Sequence, residues 1–80
     1  MEKEQILSEV TEVFRDILDQ PQLVLNFETT AEEVEDWDSL NHIQLVVAIE
    51  KHFKIRFTTK EIQSWQNVGE MVEDIHKRTN

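Results

Sequence analysis

The sequence predicts an all-α domain, a four-helix bundle with a long loop between the first two helices and a short third helix. Three observations carry this. The apolar residues recur at three- and four-residue steps rather than in alternation. A single Gly and a single Pro leave few turn makers for a strand-rich fold. Thr58 with Glu61, and Asn67 with Glu70, stand at the three-residue spacing of capping boxes, the mark of two helix starts late in the chain. Eighty residues suit one domain, residues 1–80. A chain of this size buries only about 60–65% of its unfolded surface, which argues against a deep enclosed active site.

Ile6, Val10, Val13, Phe14, Ile17 and Leu18 share one face of a helix expected over residues 2 to 19. Gln20-Pro21 breaks it, because the residue before a proline is pushed away from helical angles. From there to Asp38 the periodicity is poor and acids accumulate, so the segment reads as a long loop anchored by Leu23, Leu25 and Phe27. Unstructured connections this long are uncommon in compact domains and are usually functional or disordered. The second helix is expected from Asp38, as its N-cap, to Phe53, with Lys51, Lys54 and Arg56 near the end that favours cations. A short third helix is expected near residues 59–64 and a fourth over 68–77. The fourth carries Val68, Met71, Val72 and Ile75 as its apolar stripe.

Composition excludes several function classes. With no cysteine there is neither a disulfide framework nor a thiolate metal site. A net charge of −9 argues against nucleic acid and anionic membranes as partners, since both need neutralising Lys and Arg. The N-terminal Met-Glu-Lys-Glu-Gln-Ile-Leu is acidic where a secretory signal would be basic, and no apolar run is long enough to cross a bilayer. A cytoplasmic monomer is the expectation. The charge is also lopsided: residues 1–38 hold twelve acids and two bases, residues 39–80 five acids and six bases.

The second helix carries two apolar stripes. At about 100° per residue, Leu45, Val46, Ile49 and Phe53 fall on one side, while Leu40, Ile43 and Val47 fall well over a quarter turn away. A small bundle buries one such stripe well, so the second is expected to be partly exposed and available to a partner or ligand. Ser39 lies at the start of this helix, where the acidic half of the chain ends. Ser and Asp both serve as helix caps, so Ser39 reads either as a cap or as an attachment point. An anion attached in a first turn would be favoured by about 0.3–1 kcal/mol when exposed.

Asp38-Ser39-Leu40 at the head of an apolar helix, after a helix and a long acidic loop and before a short helix and a last one, resembles an acyl carrier protein. The resemblance covers nearly the whole chain. It extends through Leu40-Asn41-His42-Ile43-Gln44-Leu45-Val46-Val47-Ala48-Ile49-Glu50-Lys51-His52-Phe53, then Ile55, Phe57 and Thr58, and finally Val68, Val72 and Ile75. It implies that Ser39 carries 4′-phosphopantetheine, transferred from coenzyme A by a magnesium-dependent phosphopantetheinyl transferase, with Asp38 and Leu40 completing the motif. It further implies no enzyme activity, because the thioester chemistry would belong to the prosthetic thiol and the carrier would tether and dock. Leu40, Asn41, Ile43, Gln44, Val47 and Glu50 would meet the acyl-loading and acyl-processing enzymes. The family's second helix is commonly acidic; here Asn41, Gln44 and Lys51 stand where acids are usual, leaving Asp38 and Glu50. A specialised carrier is therefore expected, serving one pathway such as a secondary metabolite, modified lipid or sugar.

Two readings compete with this one: a carrier of aminoacyl or peptidyl groups, and an acidic helical interaction module that is never modified. Ser39 and His42 as nucleophile and base would also need an oxyanion site and a group orienting the histidine, and His42 projects toward the core side of the second helix, so a structural histidine is the expectation. Asp36, Asp38 and Asn41 fail the calcium-loop pattern, which needs Gly at its sixth position and Glu at its twelfth, here Asn41 and Val47. His42, His52 and His76 have no shared metal spacing. Trp37 is expected to pack the loop onto the bundle, and Trp65 to close the third helix onto the core.

Overall fold

The computed structural model describes residues 2–79. Its elements are α1 (Lys3–Leu18), α2 (Ser39–Phe53), α3 (Thr59–Ser64) and α4 (Val68–Thr79), with one 3₁₀ turn at Ala31–Glu33 inside the long loop. The all-α class and the helix order are as the sequence predicts. Residues 2 and 19 prove to be the caps of α1 rather than part of it. The fourth helix runs two residues past the expected end, where Thr79 Oγ1 donates to the Ile75 carbonyl at 2.9 Å.

Ile6, Val10, Phe14 and Leu18 repeat every four residues, and α1 buries all of them. Asp19 then adopts a left-handed conformation at φ 54°, and its N–H and that of Gln20 both donate to the Arg15 carbonyl. Pro21 follows and cannot extend the helix. Leu45, Val46 and Ile49 of α2 and Val68, Met71, Val72 and Ile75 of α4 are buried too, with α2 and α4 each packed on α1. Full burial of one such aliphatic side chain is worth about 1.5–3 kcal/mol, which makes α1 the spine of the domain.

The loop of residues 20 to 38 is fastened throughout. Leu25 and Val34 are buried, and Leu23, Phe27 and Trp37 pack against the core. Arg15 Nε donates to the Leu23 carbonyl at 2.7 Å. The Val68 and Gly69 N–H groups donate to the carbonyls of Thr29 and Phe27 at 2.8 and 2.7 Å, so loop backbone satisfies orphan donors at the start of α4. Gly69 is the chain's single glycine because the loop lies this close: a Cβ there would sit 2.6 Å from the Phe27 oxygen. Both capping residues expected at helix starts act as such. Thr58 and Glu61 form a reciprocal box, and Asn67 Oδ1 accepts from the Glu70 N–H at 2.9 Å.

Candidate functional site: the start of the second helix

Asp38 is the N-cap of α2: its Oδ1 accepts from the Asn41 N–H at 2.9 Å, and its carbonyl accepts from the His42 N–H at 2.8 Å. Ser39 is the first helical residue, exposed, and its side chain makes no hydrogen bond to any described residue. The capping role thus falls to the aspartate, and the serine hydroxyl is left free. As the first two helical positions, Ser39 and Leu40 have N–H groups with no acceptor one turn back, and these face the same end of the helix dipole.

The approach to Ser39 is tied by hydrogen bonds and ring packing. Asp36 takes a left-handed conformation at φ 70°, which Asp tolerates better than most residues. Its carbonyl accepts from Asn41 Nδ2 at 2.7 Å and from the Asp38 N–H at 3.0 Å. Trp37, next along, turns inward. Its ring meets Phe14 edge-on with centroids 4.9 Å apart, and its Nε1–H donates to His42 Nδ1 at 3.0 Å. Trp37 therefore packs the loop onto the bundle as expected. His42 is half-buried on the inner side of α2; burial pushes its pKa below the ordinary histidine value, against a smaller upward pull from a hydrogen bond to the Ile62 backbone. Trp65 Nε1–H donates to Asp74 Oδ2 at 2.6 Å, tying the end of α3 to α4.

Beside Ser39 opens a hollow of about 740 Å3, lined by Trp37, Asp38, His42 and Ile43 on one side and by Ala31, Thr59, Ile62 and Gln63 on the other. A smaller hollow of about 300 Å3 shares Trp37, His42, Ile62 and Gln63 and extends to Trp65 and Met71. The lining residues from α3 and the 3₁₀ turn escape sequence reasoning. A six-residue helix shows too little periodicity to assign its faces, and only tertiary packing brings Ala31 opposite α2.

The outer stripe of α2 is solvent-facing: Leu40 is 68% exposed, Ile43 64% and Val47 43%. Gln44 is exposed among them. Asn41 and Glu50 lie on the same helix with their side chains engaged, Asn41 on the Asp36 carbonyl and Glu50 accepting from the Phe57 N–H at 2.8 Å. Among the described residues no group of His, Asp or Glu is arranged to hold a metal ion, and no helix is long and apolar enough to cross a membrane.

The second helix of this small bundle thus offers a free hydroxyl at its N-terminus, an open hollow beside it and an exposed apolar stripe leading away from it. The chain belongs to the family described as the phosphopantetheine attachment site, whose model matches residues 8–75, and it is similar along most of its length to acyl carrier proteins. It is 29% identical over 79 residues to an acyl carrier protein of Acidothermus cellulolyticus, a match covering 99% of this chain and 94% of that one. The solution structure of a holo acyl carrier protein from Geobacter metallireducens superposes with a TM-score of 0.83 at 39% identity, over 89% of this chain and 82% of that one. The cofactor is accordingly a covalently attached phosphopantetheine, and the protein is a carrier rather than a catalyst. The residues at the head of α2 fit such a group, with an exposed, unengaged hydroxyl, free N–H groups for an anion and a hollow large enough for an attached arm.

Proposed function

We propose that Ser39 is the attachment residue, that Asp38 and Leu40 frame it, and that residues 1–80 act as a single, monomeric, cytoplasmic carrier domain for acyl groups. The observation that carries this reading is the division of labour at the helix start: Asp38 does the capping, and the neighbouring hydroxyl is exposed with no structural duty. When bound, the phosphopantetheine supplies the thiol that holds an acyl group as a thioester. The chain's own residues do the rest. The first-turn N–H groups favour the phosphodiester, the fastened loop fixes its point of departure, and the hollow walled by His42, Ile43, Ile62 and Gln63 gives the arm a surface to lie on.

Leu40, Asn41, Ile43, Gln44, Val47 and Glu50 form the docking side, for a phosphopantetheinyl transferase and for acyl-loading and acyl-processing enzymes. Its energetic centre is the apolar trio, since exposed aliphatic area gains most on burial. Asn41 and Glu50 stand at its margins, where they also hold the adjoining loops. Amides and a lysine on this helix in place of a run of acids support service to one specialised pathway, such as a secondary metabolite, modified lipid or sugar. Incubation with coenzyme A, magnesium and a broad-specificity phosphopantetheinyl transferase should add the mass of one phosphopantetheine. No gain, repeated with a transferase from the same source organism, would favour an unmodified interaction module.

A further inference from the structure

The far end of the exposed stripe differs chemically from the end that holds Ser39. Lys51, Lys54 and Arg56 stand around an open hollow of about 550 Å3, with Val47, Ile55 and Glu50 as the rest of its lining. All three cations are exposed. The ion pairs among the described residues engage Lys3, Arg15, His52 and Arg78 instead. Glu50, the carboxylate inside the hollow, is turned to the Phe57 N–H at 2.8 Å.

The helix dipole accounts for Lys51 and Lys54, which sit at the cation-favouring end of α2. Arg56 lies beyond the last turn of the helix, outside the dipole's short reach, yet it lines the same hollow. At the other end Glu35, Asp36 and Asp38 are exposed, and no base occurs among residues 26–38. Fifteen helical residues at about 1.5 Å each separate the two poles by roughly 22 Å. That is well beyond a Debye length of about 8 Å at physiological salt, so each pole acts on whatever touches it.

We propose that the hollow bounded by Lys51, Lys54 and Arg56 docks an acidic segment of a partner enzyme, with an apolar side chain of that segment on Val47 and Ile55. The same partner presents bases to the carboxylates beside Ser39. The identity of the partner as an enzyme rests on the carrier reading; the charge chemistry does not. A face with opposite poles and an apolar middle admits a partner in one direction only, and that direction sets which way Ser39 is delivered. Nucleic acid and anionic bilayers are disfavoured by the net charge of −9.

The test is an NMR titration of the full-length, isotopically labelled protein with two amphipathic peptides of equal length, one built from Glu and Leu, the other from Lys and Leu. The acidic peptide should shift the amides of Val47, Lys51, Ile55 and Arg56, and the basic peptide those of residues 35–38. In the Lys51→Glu, Arg56→Glu double variant the acidic peptide should bind roughly tenfold more weakly, and in the Lys51→Gln, Arg56→Gln variant by an intermediate factor. Thermal melts verify that both variants fold. The proposal is overturned if the acidic peptide shifts scatter over the surface or survive charge reversal. It is equally overturned if vesicles of equimolar phosphatidylcholine and phosphatidylserine perturb these amides while the peptide does not, or if they shift with protein concentration alone, which would mark a second copy. Phosphopantetheine addition to the wild type is scored separately by mass, so failure of the carrier reading is told apart from failure of this one.

Discussion

The indole N–H of Trp37 donates to Nδ1 of His42 at 3.0 Å and so joins the end of the long loop to the first turn of α2. This bond requires Nδ1 to be unprotonated, and burial lowers the pKa of the same ring. In the unfolded chain the imidazole binds its proton near pH 6.5. The folded pKa lies below that, so the contribution of His42 to stability is complete above about pH 6.5 and is lost as pH falls through the folded value. NMR titration should find the His42 pKa below the ordinary histidine value. Trp37→Phe, which keeps an aromatic ring but removes the donor and part of the indole's bulk against Phe14, should cost about 1–3 kcal/mol and raise the His42 pKa. A His42 pKa at or above the ordinary value in the wild type would show that the ring is not held this way.

Asp38 and Ser39 are neighbours with separate roles, and stability measurements should separate them. Asp38→Ala removes the cap acceptor of the Asn41 N–H and should cost about 1 kcal/mol in denaturant melts. Ser39→Ala removes a hydroxyl with no partner in the protein and should stay within about 0.5 kcal/mol of wild type. Equal losses in the two variants would return Ser39 to a capping role.

Gly69→Ala tests how tightly the loop lies on α4. Alanine is favoured over glycine inside a helix by about 1 kcal/mol. Here its Cβ would meet the Phe27 carbonyl oxygen at 2.6 Å, the same oxygen that accepts from the Gly69 N–H. Backbone crowding of this kind should win, with a net loss of about 1–2 kcal/mol in thermal or denaturant unfolding. A gain in stability would mean that the loop yields easily.

Ile43→Glu places a charge at the middle of the exposed stripe. Because Ile43 is 64% exposed, the melting temperature should change little, by no more than about 0.5 kcal/mol in stability. Rates of modification by the transferase, measured at subsaturating carrier, should fall several-fold. Unchanged rates would move the docking face elsewhere on the molecule.

Much of this was legible in the sequence for one physical reason: helices declare themselves locally. The four-residue repeat from Ile6 to Leu18, the proline after Gln20, and the caps at Asp38, Thr58 and Asn67 each act within a turn or two of chain, and each stands where the pattern puts it. The two stripes of α2 were likewise readable from spacing alone, one buried and one exposed. The long loop was legible as a loop anchored by Leu23, Leu25 and Phe27, but its course was not. Val34 is a single apolar residue amid acids, and the 3₁₀ turn before it is too short to have a period. Its fastening to α4 through the Thr29 and Phe27 carbonyls is made by backbone, which carries no sequence signal beyond the one glycine that permits the approach. For the same reason the hollow's second wall, from Thr59 to Gln63, emerges only when α3 is folded against α2.

The most direct measurement is tandem mass spectrometry of peptides from wild-type protein and the Ser39→Ala variant after treatment with coenzyme A, magnesium and a phosphopantetheinyl transferase. The wild type should carry one phosphopantetheine, localised to Ser39, and the folded variant none. Modification of the variant, or localisation to another hydroxyl at the hollow such as Thr59, would contradict the assignment of Ser39.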